Sequence, residues 1–120
     1  MSKFKLKHFY KLETLLLIAL KPKELYGREI PDVIKKASGG RCEIRIGSLY
    51  PTLRKLERDG LIEAEARPSM NISGAADRRY YSLTAKGRAL VSQCITFEHY
   101  LSQGVALSPA DRDLSHENNS

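Results

Sequence analysis

The segment from Gly47 to Ile62 constrains the fold of this chain more than any other part of its sequence. Its apolar residues recur at helical spacing within a sector of about 90°, at 3.6 residues per turn, which predicts a helix over residues 46–59. Gly60 supplies the left-handed residue at which such a helix ends, and Leu61 opens a strand. The apolar sector consists of Ile46, Leu49, Leu53 and Leu56, with Tyr50 at its edge. The segment is therefore expected to dock on a core through one helix face and to continue directly into a strand.

The opposite face of this helix is basic. Arg54, Lys55 and Arg58 lie on it, and such side chains can bind phosphates or the edges of bases. An arginine that bridges the two acceptors of a guanine contributes about 1–3 kcal/mol of discrimination. The alternative is an ordinary solvated face, because Glu57 and Asp59 offset part of the charge. The helix alone leaves both interpretations open.

The start of the same helix carries three further candidate contacts, Ser48, Tyr50 and Pro51. The hydroxyl of Ser48, or the backbone N–H groups around it, can bind a phosphate. Tyr50 can pack its ring while its hydroxyl reaches a phosphate. Pro51 is expected within the first turn, where a missing N–H costs least, with its ring exposed toward a thymine methyl. A plain helix-start residue and a half-buried core tyrosine are the alternatives for Ser48 and Tyr50.

Charge and composition narrow the classes of function. The chain has 120 residues, with 20 Lys and Arg against 14 Asp and Glu and a net charge of +6. A compact basic domain attracts polyanions at long range, although ordinary solubility explains the same excess. The two cysteines and three histidines match no metal-ligand spacing, and no nucleophile–base set or phosphate loop is visible. We therefore expect neither an enzyme nor a bound metal or cofactor.

The sequence also indicates a compartment. Its apolar run Leu15 to Leu20 is far shorter than the about 20 residues that span a bilayer, so no membrane association is expected. Cys42 and Cys94 are interpreted as ordinary thiols of a reducing environment. Together these features predict a cytoplasmic protein.

Periodicity along the chain predicts a mainly α fold with a small β-hairpin (α+β). The other expected elements are helices over 9–20, 27–37 and 85–102, a short strand over 43–45, and strands over 61–67 and 78–83 on either side of a loop, the wing, at residues 68–78. Three helices followed by a two-stranded ribbon predict a winged helix-turn-helix domain, here residues 9–84, whose third helix reads DNA. Residues 1–8 are expected to form a basic arm, and residues 104–120 a disordered polar tail.

Two helices carry more apolar surface than a domain of this size buries. The first is apolar nearly all round, and the last has a broad apolar stripe from Leu90 to Leu101 that forms either core or a dimer seam. We favour the seam, so residues 85–103 are interpreted as a dimerisation helix and the chain as a homodimer. The residues expected at the seam are Leu12, Leu16, Leu90, Cys94, Phe97 and Leu101.

Basic residues also follow the wing. Arg78 and Arg79 are expected to reach the DNA backbone or a minor groove, the alternative being edge charges that prevent strand pairing. Lys86 and Arg88 lie in the first turn of the last helix, where cations oppose the dipole, which hints at an anion nearby. The glycines are interpreted as helix stops and turns.

Three motifs occur in order along the chain: Leu25-Tyr26-Gly27, the segment from Gly47 to Ile62, and the segment from Arg78 to Arg88. With these motifs the chain resembles the PadR family of bacterial transcriptional regulators over about residues 12–92. The resemblance implies a dimeric winged-helix repressor that binds an inverted-repeat operator in double-stranded DNA. It also puts Ser48, Tyr50 and Pro51 at the DNA end of the reading helix. The short form with a basic arm further resembles clock-associated PadR-like repressors of cyanobacteria.

A small-molecule effector is not expected. Family members that respond to drugs or phenols use aromatic residues, often Trp, between dimer halves or carry a long C-terminal domain, whereas this chain has no Trp and one C-terminal helix. A ligand sensor with a pocket at the dimer interface nevertheless remains an alternative function. A second alternative is a winged module that binds proteins, supported by the acidic residues Glu57, Asp59, Glu63 and Glu65 near the reading helix.

Overall fold

A computed structural model describes residues 10–68 and 78–104. The predicted basic arm, nearly all of the predicted wing and the predicted tail beyond residue 104 lie outside this part. The described elements are α1 (Leu12–Ala19), β1 (Leu25–Tyr26), α2 (Ile30–Ala37), α3 (Ile46–Arg58), β2 (Ile62–Arg67), β3 (Arg78–Leu83) and α4 (Ala85–Ser102), with a 3-10 turn at Gly27–Glu29 before α2. The predicted mainly α fold with a small β-hairpin is confirmed.

The core forms where α1, α2 and α3 pack against the sheet. Leu49, Leu53 and Leu56 of α3 are fully buried, as their helical spacing predicts. Ile46 was assigned to the same apolar sector, yet it is 49% exposed, because it is the first residue of α3 and lies at the edge of the core. Gly60 ends the helix with a φ of 76°, the left-handed conformation expected of a stop.

The sheet has three antiparallel strands in the order β1-β3-β2. The strand predicted at residues 43–45 is wrong, since residues 41–45 form no regular element. The third strand is instead β1, which pairs Leu25 with Tyr81 and Tyr26 with Tyr80. A two-residue strand has no periodicity to detect, and its pairing partner lies more than fifty residues away in the sequence.

The start of α4 is joined tightly to the end of α3. Thr84 is the N-cap of α4, and its Oγ1 accepts a hydrogen bond from the Gly87 N–H at 3.1 Å. The same hydroxyl donates to the Gly60 carbonyl at 2.7 Å, and the Thr84 N–H donates to the Leu61 carbonyl at 3.1 Å. Gly87 is therefore not a helix stop. A Cβ built on it would lie 2.0 Å from the Leu61 carbonyl oxygen, so only glycine lets the helix approach this closely.

Lys86 has a structural partner at the same joint. Its Nζ donates to the carbonyl of Asp59, the residue that follows α3, at 3.0 Å. A cation at the C-terminal end of a helix is stabilised by the helix dipole and by the carbonyls left without intrahelical partners. The sequence hint of an external anion near Lys86 is therefore replaced by the C-terminal end of α3.

Candidate nucleic-acid interface

One line of exposed residues runs along α3 on the side away from the core. Gly47, Pro51, Arg54 and Arg58 recur at intervals of three and four residues, so they share one helix face, and all four are exposed. We call these four residues the outward ridge. In the described part of the chain, neither ridge arginine forms an ion pair. The ridge therefore offers two guanidinium groups to an anionic partner.

Pro51 lies deeper in the helix than its position in the sequence suggested. It was expected in the first turn, but it is the sixth residue of α3. At this position it has no N–H to donate to the carbonyl of Gly47, four residues earlier. That carbonyl lies on the exposed face, where water or a donor on a partner can bond it.

Lys55 and Arg79, which we call the flanking cations, lie beside the ridge and are paired with carboxylates. Lys55 Nζ lies 3.0 Å from Oε2 of Glu13 on α1. On the other side of α3, Arg79 Nη2 lies 3.3 Å from Oε2 of Glu57. Of the basic face predicted on α3, Arg54 and Arg58 are therefore unpaired among the described residues and Lys55 is paired. Arg79, which was predicted at the base of the wing, adds a paired cation on the other flank.

Ser48 and Tyr50 occupy the N-terminal part of α3 as predicted. The Ser48 side chain is exposed, but its backbone N–H already donates to the Arg45 carbonyl at 3.0 Å. Only its hydroxyl is therefore directly suited to a phosphate. Tyr50 is half-buried, and its ring and hydroxyl lie 3.0 Å from where a Cβ on Gly27 would be. Glycine in the Leu25-Tyr26-Gly27 motif therefore makes room for Tyr50.

The base of the wing brings two arginines into register. Arg67 of β2 pairs with Arg78 of β3 across the hairpin, and like charges directly opposite each other are destabilising. Arg67 is held by Glu24, with Nη1 and Nη2 at 2.7 and 2.8 Å from its two carboxylate oxygens, and by Glu65 at 2.5 Å. The hydrogen bonds from Arg67 hold the pKa of the Glu24 carboxyl below its usual range.

Aromatic rings hold the same two arginines. The guanidinium of Arg67 lies 4.5 Å from the centre of the Tyr80 ring, and that of Arg78 lies 4.7 Å from the Tyr26 ring. The two rings are themselves 5.8 Å apart. Arg78 is thereby fixed on the outer face of the sheet, whereas Arg79 lies on the inner face with Tyr81 because side chains alternate along a strand. Arg67 and Glu24 were not predicted from the sequence. The available signal was the spacing of Arg78 and Tyr80, which lie two residues apart and therefore on one face of β3.

Burial affects one titratable group of the inner face. Tyr81 is almost fully buried, and this burial raises the pKa of its hydroxyl. Nearby Arg79 acts in the opposite direction because it stabilises the phenolate. Tyr81 is therefore a residue of the packed core.

A groove of about 180 Å³ opens between α1 and the segment before α3. It was not predicted from the sequence. Its walls combine apolar side chains with a few polar groups, and one of these is Ser48, the predicted contact residue at the start of α3. The lining residues are Tyr10, Leu12, Leu15, Glu43, Ile44, Arg45 and Ser48.

The predicted seam residues differ sharply in exposure. Leu16 is fully buried in the core of the chain, so it is not available to a partner and we remove it from the predicted seam. Leu12 is half-buried on α1. On α4, Val91 is buried, and every residue from 92 to 102 is exposed. The exposed members of the predicted seam are Leu90, Cys94, Phe97 and Leu101.

This arrangement defines the class of the protein: a winged helix-turn-helix DNA-binding domain, with the basic helix α3 beside a sheet that ends in a hairpin. The chain belongs to the PadR family, since its residues 15–93 match the transcriptional regulator PadR-like family. Membership in this family of regulators also confirms that the chain is not an enzyme. In the described part of the chain, no helix is long and apolar enough to cross a bilayer.

Solved structures and a curated relative support the family and the fold. The chain is similar to a PadR-like transcription factor from Bacteroides fragilis, with a TM-score of 0.65 and 28% identity, over 78% of this chain and 84% of that one. Its fold is also similar to that of Bacillus subtilis PadR in complex with operator DNA, with a TM-score of 0.63 and 23% identity, over 72% of this chain and 48% of that one. The transcriptional regulator Rv3488 of Mycobacterium tuberculosis is 47% identical over 47 residues, or 39% of this chain and 40% of that protein. None of the three is described as clock-associated, and the narrower resemblance stays a prediction.

Proposed function

We propose that this transcriptional regulator is a dimeric repressor that binds an inverted-repeat operator through α3 and the wing at residues 68–78. The observation that carries the proposal is the outward ridge, because its two arginines are exposed and unpaired among the described residues. A cation without a carboxylate partner can bind a phosphate or a base without first breaking an ion pair. Similarity to the fold of a PadR protein crystallised with operator DNA supports DNA binding by this chain. We place this activity in the bacterial cytoplasm, at the nucleoid.

Within the interface, the residues have different proposed roles. Arg54 and Arg58 enter the major groove, where guanidinium groups can bind guanine edges or phosphates. Ser48 and Tyr50 bind the backbone at the N-terminal end of α3 through their hydroxyls. Arg78 is directed by its stacking on Tyr26 toward the backbone beside the wing.

Three further residues complete the proposed interface: Pro51, Lys55 and Arg79. The exposed ring of Pro51 lies on the outward ridge, where it can contact a thymine methyl. Lys55 and Arg79 act differently from the ridge arginines, because each must leave its carboxylate before it binds a phosphate.

The proposed homodimer rests on the protruding part of α4. This helix has 18 residues, so it extends about 27 Å at 1.5 Å per residue. Phe97 and Leu101 are each 67% exposed, and large apolar side chains exposed together along a helix are typical of an interface. We propose that these two residues, with Leu90 and Cys94, pack on the partner subunit beside Leu12 of α1.

The acidic residues favour the DNA-binding function over a protein-binding module. Glu63 and Glu65 lie on the outer face of the sheet, since they alternate with buried Ile62 along β2. Glu57 is paired with Arg79. These carboxylates therefore form no separate acidic surface on the outward ridge.

Genomic footprinting tests the proposed function. Purified protein is mixed with fragmented DNA of the organism that encodes it, the bound fragments are sequenced, and the strongest site is footprinted. A two-fold symmetric dimer is expected to protect two half-sites. Their centres should be separated by one helical turn of DNA, about 10–10.5 base pairs, or by a multiple of it. Failure to enrich any fragment, or protection of one unsymmetrical patch, would contradict the proposal.

A further inference from the structure

We propose that Glu13 and Glu57 compete with DNA phosphates for the flanking cations, and that this competition sets how well the protein distinguishes its operator from other DNA. The inference rests on the proposed function and assigns the two carboxylates a role as specificity determinants. Glu13 belongs to α1, and Glu57 lies on the flank of α3 rather than on its outward ridge.

The geometry makes both pairs available to a phosphate. Lys55 and Arg79 are exposed, and they lie 3.0 and 3.3 Å from their carboxylates. Exposed pairs of this kind contribute about 0–1 kcal/mol to stability, so a phosphate can displace the carboxylate without disturbing the fold. The displaced carboxylate stays nearby, because it is anchored on a helix, and it repels the phosphate that replaced it.

This repulsion acts unequally on the two kinds of complex. A complex with arbitrary DNA derives its affinity from whichever cations reach phosphates, because binding to phosphates supplies essentially all of non-specific affinity. The carboxylates beside Lys55 and Arg79 keep these two cations from binding the phosphates of arbitrary DNA. On the operator, the outward ridge sets the register, and its arginines pair with no carboxylate in the described part of the chain. The flanking pairs therefore weaken non-specific binding more than operator binding.

The size of the effect follows from the value of one bound phosphate. Non-specific dissociation constants of about 10⁻⁴–10⁻⁶ M, shared among about 6–10 phosphates, correspond to about 3–10-fold in affinity per phosphate. Glu13→Gln releases Lys55, so we expect at least about 3-fold tighter binding to non-operator DNA. The salt dependence of that binding should also steepen by about 0.9 for each additional phosphate that the variant neutralises.

Fluorescence anisotropy with two duplexes tests the inference: one carries the strongest footprinted site, and the other is a scrambled sequence of equal length and composition. Glu13→Gln and Glu57→Gln should each bind the scrambled duplex more tightly and reduce the ratio of the two affinities. Glu63→Gln is the matched control, because it removes the same charge from the outer face of the sheet. Circular dichroism melting verifies that each variant is folded.

Double variants test whether the effect passes through the proposed pairs. The tighter binding of Glu13→Gln should disappear in a Lys55→Gln background, and that of Glu57→Gln in an Arg79→Gln background. The inference is overturned if the first two variants change binding no more than Glu63→Gln does, or if their tighter binding persists in the double variants. If the wild-type protein binds neither duplex, the proposed function itself fails, and that outcome is recognised before any variant is compared.

Discussion

Gly87 offers the most direct test of how α4 is attached to the DNA-binding domain. In an exposed helix, replacing glycine by alanine stabilises by about 0.8–1.0 kcal/mol. At Gly87 the new Cβ would lie 2.0 Å from the Leu61 carbonyl oxygen, about 1 Å closer than real Cβ atoms approach. The chain must shift at the joint made by the hydroxyl of Thr84 and the Gly60 carbonyl. Such overpacking costs about 1–3 kcal/mol, so we expect Gly87→Ala to destabilise despite its better helix propensity.

The assay is thermal unfolding followed by circular dichroism at one fixed protein concentration, because the proposed dimerisation would make Tm depend on concentration. A loss of about 1–3 kcal/mol lowers Tm by at least about 4 °C in a domain of this size. Gly47→Ala is the matched control, since a Cβ there meets nothing within 4 Å. It should keep or raise Tm, because alanine is the better helix former. Equal shifts for the two variants, or a larger loss of Tm in Gly47→Ala than in Gly87→Ala, would refute the close approach of α4 to Leu61.

Three further outcomes follow from other parts of the structure. Thr84→Ala should lower the free energy of unfolding by about 1 kcal/mol through loss of the N-cap. Thr84→Ser keeps a capping hydroxyl and should retain most of this stabilisation. An unchanged Tm for Thr84→Ala would contradict the cap. Burial raises the pKa of Tyr81 above that of the unfolded chain. The contribution of Tyr81 to stability is therefore complete below about pH 10 and is lost as pH rises through the folded pKa. In denaturation curves between about pH 9 and 11, the free energy of unfolding should decline less for Tyr81→Phe than for the wild type. The double variant Phe97→Ser and Leu101→Ser should sediment as a folded monomer at micromolar concentration while the wild type sediments as a dimer; an unchanged dimer would remove α4 from the interface.

Local signals were sufficient for the elements that a short stretch of sequence determines. The boundaries of α4 follow from the capping hydroxyl of Thr84 and a long helical pattern, and they agree with the prediction. The end of α3 follows from the left-handed conformation of Gly60. The buried face of α3 follows from the spacing of its leucines. In each case the residues that determine the feature lie within a few positions of it in the sequence.

Features that depend on distant residues could not be predicted in this way. β1 forms only because Leu25 and Tyr26 pair with a strand far along the chain. Lys55 and Glu13 are 42 residues apart, and helical periodicity does not indicate which carboxylate reaches which cation. Gly87 resembles a stop in the sequence because its function, a close backbone approach, exists only after α3 and α4 meet. The exposed Ile46 shows the same limit, since spacing indicates a face but not where the core ends.

A salt series with one double variant decides whether the outward ridge of α3 binds DNA. Binding of Arg54→Ala with Arg58→Ala to the footprinted duplex and to its scrambled counterpart is measured by anisotropy from 50 to 200 mM salt. If the ridge binds DNA, the double variant should lose much of its operator affinity. Its salt slope should be shallower by about 0.9 for each phosphate no longer bound, or its base preference should relax where an arginine binds a base. Glu63→Gln should bind as the wild type does. Operator affinity and salt slope that are both unchanged in the double variant would show that the ridge does not bind DNA.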